Sequence, residues 1–180
     1  MSLTRRSLIL SGAAVAAGCT GAPRTGQLID QDVAASRNLL FSSVPGTQSL
    51  YERSAGVLII PNIIEGGFVL SGAYGEGALL VGEATVDYMS VTAAAFGLQI
   101  GGQSYAQAMF FTTPEALANF RQTDGWEVGV DAEVAVLEDG AAIGTSTALL
   151  SQPIYQIIYG QRGLIVGASL EGAKYSRLIR

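Results

Sequence analysis

Trp126-Glu127-Val128-Gly129-Val130-Asp131-Ala132-Glu133-Val134-Ala135-Val136 alternates in polarity over eleven residues. In an extended chain Trp126, Val128, Val130, Ala132, Val134 and Val136 share one face, and Glu127, Asp131 and Glu133 take the other. Successive strand side chains point to opposite faces. Period-two alternation with one wet face predicts a strand in an antiparallel sheet, because parallel strands are covered on both faces and read as continuous apolar runs.

Upstream of this strand, Asp124-Gly125 is a turn signal and closes a short helix. Thr113 suits the N-cap, Pro114 the first helical position and Glu115 the positive end of the dipole. Leu117 and Phe120 would then face inward. Before the helix, residues 86–95 and 98–111 read as strands, as do Gly77–Val81, Phe68–Gly72 and Gly56–Ile60, the last stopped by Pro61. Gly72-x-x-Gly75-x-Gly77 reverses the order of a dinucleotide loop and leads into a strand, so it reads as a hairpin turn. Downstream, Glu138-Asp139-Gly140 turns the chain and residues 140–152 form a loop. Ile154–Tyr159 and Leu164–Leu170 form a hairpin across Gly160-Gln161-Arg162-Gly163.

The N-terminal part is helical. Ile29, Val33 and Leu40 fall within about 40° of one another at 100° per residue, while Asp30 and Arg37 share another face. This stripe fits packing on a core better than lying in a membrane, because the polar face carries acids as well as Arg37. Ser42-Ser43-Val44-Pro45-Gly46 breaks the helix, and Thr47 is the expected cap of a second one through Tyr51 and Arg53. Glycines recur inside the strand segments, where they mark bends, bulges or barrel corners. The expected fold class is α+β: a strongly curved antiparallel sheet or small β-barrel, packed by the N-terminal helices and by the inserted helix at 114–121.

The first nineteen residues have a different logic. Arg5 and Arg6 precede a short apolar run, and small residues Ala16-Ala17-Gly18 precede Cys19, the one cysteine of the chain. That is the layout of a removable export signal, too short to span a bilayer core. Thr4-Arg5-Arg6-Ser7-Leu8-Ile9 resembles a twin-arginine signal, with Leu8 where Phe is favoured. Ala16-Ala17-Gly18-Cys19 resembles a bacterial lipobox, with Ala16 where Leu is usual. The expected organisation is a signal over 1–18, a tether over 19–26 from a lipidated Cys19, and one domain over 27–180. The expected location is the bacterial cell envelope, anchored through Cys19 and facing the periplasm.

Composition narrows the chemistry. The whole chain carries a net charge of −5, and loss of Arg5 and Arg6 with the signal leaves eight bases against fifteen acids. Nucleic acid is a poor partner for such a surface, since its binding depends on neutralising phosphates. There is no histidine, which removes Ser-His and Cys-His pairs, histidine metal ligands and the usual neutral-pH proton shuttle. Paired carboxylates run hydrolysis without histidine, but among Glu65, Glu76, Glu83 and Asp87 nothing singles out a pair. No cofactor and no metal are expected. Asp124, Glu127, Asp131, Glu133, Glu138 and Asp139 do not follow an EF-hand order and read as a polar sheet face. Arg162, Lys174, Arg177 and Arg180 form the basic zone and are the candidate contacts for an anionic headgroup, at about 1 kcal/mol per cation near a charged surface.

Four segments resemble the SYLF domain family: Gly56–Pro61 with Gly66-Gly67-Phe68; Phe96–Gln103; Gly125–Ala132; and Gly163–Gly172. They occur in family order over roughly residues 36–178, and the chain is similar to the bacterial lipoprotein branch. The resemblance implies phospholipid binding without catalysis, with an anionic phospholipid or membrane surface as partner. It assigns no individual lipid-contacting residue. The phosphoinositide ligands of eukaryotic relatives go with added SH3 or FYVE modules absent here. The alternative is a structural or assembly protein of the envelope that holds a protein partner.

Overall fold

The computed structural model describes residues 24–137, 152–163 and 172–180, with backbone alone for 68–71 and 95–101. The elements are α1 (Gly26–Ser43), α2 (Thr47–Arg53), β1 (Gly56–Val81), β2 (Ala84–Phe111), α3 (Pro114–Gln122), β3 (Trp126–Glu127), β4 (Ala135–Leu137), β5 (Ile154–Gly163) and β6 (Lys174–Leu178). Cys19, the turn at 138–140, most of the 140–152 loop and the strand expected at 164–170 lie outside the described residues.

The strands expected before α3 are two, not five. β1 runs unbroken for 26 residues and β2 for 28, joined at Gly82-Glu83 with Gly82 at φ 59°. Pro61 does not stop β1; the chain absorbs it in a register shift between Ile60 and Ile63. A bulge removes the need for a ladder hydrogen bond there, which is how a strand tolerates proline. Gly72, Gly75 and Gly77 are likewise not a hairpin turn but strand positions paired to Ala94, Val91 and Met89.

Those glycines curve the sheet. β1 doubles back so that its end lies on its beginning. A Cβ on Gly75 would meet the Ile60 and Ile63 side chains at 2.8 Å, and a Cβ on Gly77 would overlap the Ile59 carbonyl oxygen. Gly56 at the other end sits 3.2 Å, measured from its missing Cβ, from the Leu80 carbonyl. The result is α+β with a mixed sheet curled into a half-barrel, the strongly curved architecture the glycine pattern predicts.

β2 organises everything else. β1 lines one edge of it, while β5 pairs with residues 103–111 and β6 with residues 88–92 of the other. All of these pairings are antiparallel, but β4 runs parallel to β5, so the sheet is mixed.

The alternating stretch at 126–136 does not form one strand. Only Trp126-Glu127 and Ala135–Leu137 are extended, as β3 and β4. Between them the Asp131 carboxylate accepts from the Glu127 N–H at 2.7 Å, the Glu127 carbonyl accepts from Asp131 N–H, and Gly129 adopts φ 81°. Asp side chains compete with the ladder in this way by bonding nearby backbone. The expected buried face survives in part: Trp126 is fully buried and Val128, Ala132 and Val134 pack beside it, while Val130 and Val136 are exposed. Glu127 and Asp131 hold a turn rather than decorate a wet sheet face.

Two apolar clusters lie on the two sides of the sheet. One joins Ile29, Val33 and Leu40 of α1 and Leu50 of α2 to Val57, Ile59, Leu80, Phe110, Ile157 and Tyr159. The other joins Leu58, Ile60, Met109 and Phe111 to Phe120 of α3, Trp126 and Tyr175. Burial on both faces explains why Val57-Leu58-Ile59-Ile60 is uninterruptedly apolar. The stripe on α1 packs on the core, as its spacing predicts. Thr25 caps α1, and Thr113 caps α3 by accepting from Ala116 N–H at 3.2 Å. Thr47 is not the cap of α2: Gly46 holds that position with φ 89°, and Thr47 is buried with its hydroxyl donating to the Val44 carbonyl.

Candidate functional site

The four cations of the basic zone have four different neighbours. Arg162 stands exposed at the end of β5, where it faces Ser104 of β2. Lys174 starts β6 and faces Thr92, twelve positions away along β2. Arg177 binds Asp87 at 3.3 Å and donates to the Arg121 carbonyl at 2.7 Å. Arg180 donates to Glu76 at 2.8 Å. Arg177 and Arg180 are thus paired with acids that were legible in the sequence but not as their partners. Arg162 and Lys174 make no ion pair among the described residues.

Register adds an apolar neighbour to Arg162. Ser104 pairs with Ile64 on its β1 side and with Arg162 on its β5 side. Paired residues project to the same face of a sheet, with neighbouring strands roughly 5 Å apart. Ile64 is 63 % exposed, and Leu39 of α1, 44 % exposed, lies against Gly160 two positions before Arg162. An exposed isoleucine, an exposed leucine and an arginine therefore share one side of the sheet. Sequence reasoning missed Ile64 because its alternation is reset by the shift at Pro61. The run Ile63-Ile64 offered no signal of its own, because on a sheet covered on both faces consecutive apolar residues can both be buried, as Val57–Ile60 are.

A second surface lies between α1 and the β1–β2 turn. A cleft of about 380 Å³ is lined by Asp30, Val33, Ala34, Arg37, Leu80, Glu83 and Thr85. Asp30 accepts from the Thr85 hydroxyl at 2.8 Å and from the Tyr88 hydroxyl at 2.9 Å. Arg37 donates to Glu83 at 2.6 Å and to the Tyr51 hydroxyl at 3.4 Å. These two partners raise the Arg37 pKa, the tyrosine bond most, and burial followed by the Asp30 contact raises that of Tyr88.

The interior carries polar groups as well. Gln107 and Gln156 are buried; Gln107 donates to the Tyr175 hydroxyl at 2.5 Å. The Gln107 Oε1, both Gln156 amide atoms and the Tyr105 hydroxyl have no hydrogen-bond partner among the described residues. Burial pushes the Tyr105 and Tyr175 phenols far up. Among the described residues no group of three or more Cys, Asp or Glu is arranged to hold a metal ion, and no helix is long and apolar enough to cross a membrane.

Residues 92–177 match the family model described as Ysc84, Las17-binding protein actin regulator, a match consistent with a SYLF domain. The match runs from the middle of β2 through α3 to β6, so α1, α2 and β1 lie outside it. No curated protein matches the chain. The family is one of binding domains, associated with lipid or with actin-regulator binding.

Proposed function

We propose that this chain is an exported bacterial envelope lipoprotein, held by an acylated Cys19, whose domain binds anionic phospholipid without doing chemistry. The observation that carries the reading is the row Ile64–Ser104–Arg162 with Leu39 beside it. Apolar side chains gain about 25 cal/mol per Å² on leaving water, and a cation adds about 1 kcal/mol at an anionic surface. The family's association with lipid supports the ligand class. The absence of histidine from the sequence supports a role outside catalysis.

The test uses the full-length chain carrying Cys19→Ala, in which the difference between domain variants reports the domain's share of the membrane affinity. It should leave the membrane fraction of cells yet sediment with anionic vesicles. Adding Ile64→Ser and Arg162→Gln should weaken sedimentation at least about tenfold, the equivalent of about 1.4 kcal/mol. Arg177→Gln and Arg180→Gln should weaken it less, because Asp87 and Glu76 already pair with those cations. Sedimentation unchanged by the Ile64/Arg162 pair would remove this surface. A second reading, an envelope assembly protein that holds a protein partner, is favoured by the family's description as Las17-binding. A stable protein partner in pull-downs, with no lipid co-purifying, would replace the first reading by this one.

A further inference from the structure

The cleft between α1 and the β1–β2 turn lies outside the family-matched segment and apart from the Ile64–Arg162 row. Its lining combines apolar Val33, Ala34 and Leu80 with Asp30, Arg37, Glu83 and Thr85. A volume of about 380 Å³ is in the range of small-ligand sites, which combine an apolar lining with a few convergent polar groups.

The two signs of charge are held differently. Asp30 accepts from two neutral hydroxyls and has no cationic partner among the described residues. A carboxylate has about four lone-pair sites, so it retains capacity for a charged donor. Arg37 is tied to Glu83, but Glu83 is 77 % exposed. Such an exposed pair is worth at most about 1 kcal/mol, so a better-placed oxyanion can replace Glu83. The Arg37 Nε is also buried without a hydrogen-bond partner among the described residues, so the guanidinium keeps unused donor capacity. Asp30 and Arg37 stand two helical turns apart, about 10 Å along α1. That span suits a short molecule with a cation at one end and an anion at the other.

We propose that this cleft binds a zwitterion made of a primary ammonium and a phosphate, the ammonium on Asp30 and Thr85 and the phosphate on Arg37. The requirement for a primary ammonium follows from Asp30, an acceptor that needs N–H donors, which a quaternary ammonium lacks. The same chemistry is found in O-phosphoethanolamine and in ethanolamine-bearing phospholipid headgroups.

Calorimetric titration of the full-length chain with O-phosphoethanolamine, phosphocholine and inorganic phosphate tests it. O-phosphoethanolamine should bind at least about tenfold tighter than either of the others, and Asp30→Asn should erase that preference while Arg37→Gln weakens all three. Equal affinity for the three probes in the unaltered chain, or no binding of any, would overturn the proposal without recourse to variants. Vesicles separate the two sources: a gain in binding when phosphatidylethanolamine is added to phosphatidylglycerol assigns the site to a headgroup. No gain, with O-phosphoethanolamine still bound, assigns it to a free zwitterion. Vesicle binding through Ile64 and Arg162 that persists while O-phosphoethanolamine fails to bind would sink this site and leave the membrane reading standing.

Discussion

Gly77 shows what a single hydrogen in place of a methyl permits. The backbone of Ile59 and Ile60 occupies the space a side chain there would need, with the Ile60 Cα 2.8 Å from the position of a Cβ. Backbone cannot step aside as a flexible side-chain tip can, so the whole overlap becomes strain. Overpacking a well-filled interior costs typically 1–3 kcal/mol. We expect Gly77→Ala to lose about 3 kcal/mol in urea unfolding. Gly72, where a Cβ would meet nothing within 4 Å, supplies the control: Gly72→Ala should change stability little. Equal stabilities of the two variants would mean that the strand does not double back on itself as described.

At the scale of elements, α3 and β6 are fastened to β2 through one carboxylate. Asp87 is only 10 % exposed and takes Arg121 of α3 at 2.7 Å and Arg177 of β6 at 3.3 Å. Asp87→Asn keeps the shape and removes the charge. It should cost about 1 kcal/mol, since both arginines are half-exposed and partly screened, and the loss should shrink in 1 M salt. A loss independent of salt would assign it to packing instead. α1 and α3 were legible in the sequence because capping and apolar spacing are local signals: Thr113, Pro114 and Glu115 name the start of α3, and Ile29, Val33 and Leu40 name the buried side of α1. The strands were legible in kind but not in extent. Pro61 and Gly72–Gly77 are breakers by composition, and only the return of β1 onto itself turns them into bends. The alternation at 126–136 misled for the converse reason, because the Asp131 carboxylate satisfies the backbone locally and no partner strand is needed. Of the candidate site residues, Arg162 and Lys174 could be named from charge alone. Ile64 and the Asp30–Arg37 cleft depend on register and on helix docking, which no local pattern encodes.

For the molecule as a whole, stability should depend on pH in a particular direction. Burial raises the phenols of Tyr105, Tyr159 and Tyr175, that of Tyr159 to about 12 despite an opposing hydrogen bond from Ser36. In the unfolded chain a phenol ionises near pH 10. Above that, the folded state holds protons the unfolded state has lost, so stability falls as pH rises. Below it both states are protonated and these groups contribute no slope. Each phenol contributes about 1.4 kcal/mol per pH unit. Urea midpoints between pH 8 and pH 11.5 should therefore be level at first and drop steeply past 10; a level profile throughout would show that these rings reach water.

Among the described strands, β6 is the one furthest along the chain. β6 returns to residues 88–92 of β2, its Ser176 carbonyl meeting the Ser90 hydroxyl across a sequence separation of 86. Until the ribosome has released that segment, the amides of this stretch stand bare, and a bare strand edge templates whatever extended chain it meets. Lys174–Leu178 thus acts as a stopper against self-assembly, and a nascent molecule lacking it is one prone to lend its neighbour a strand.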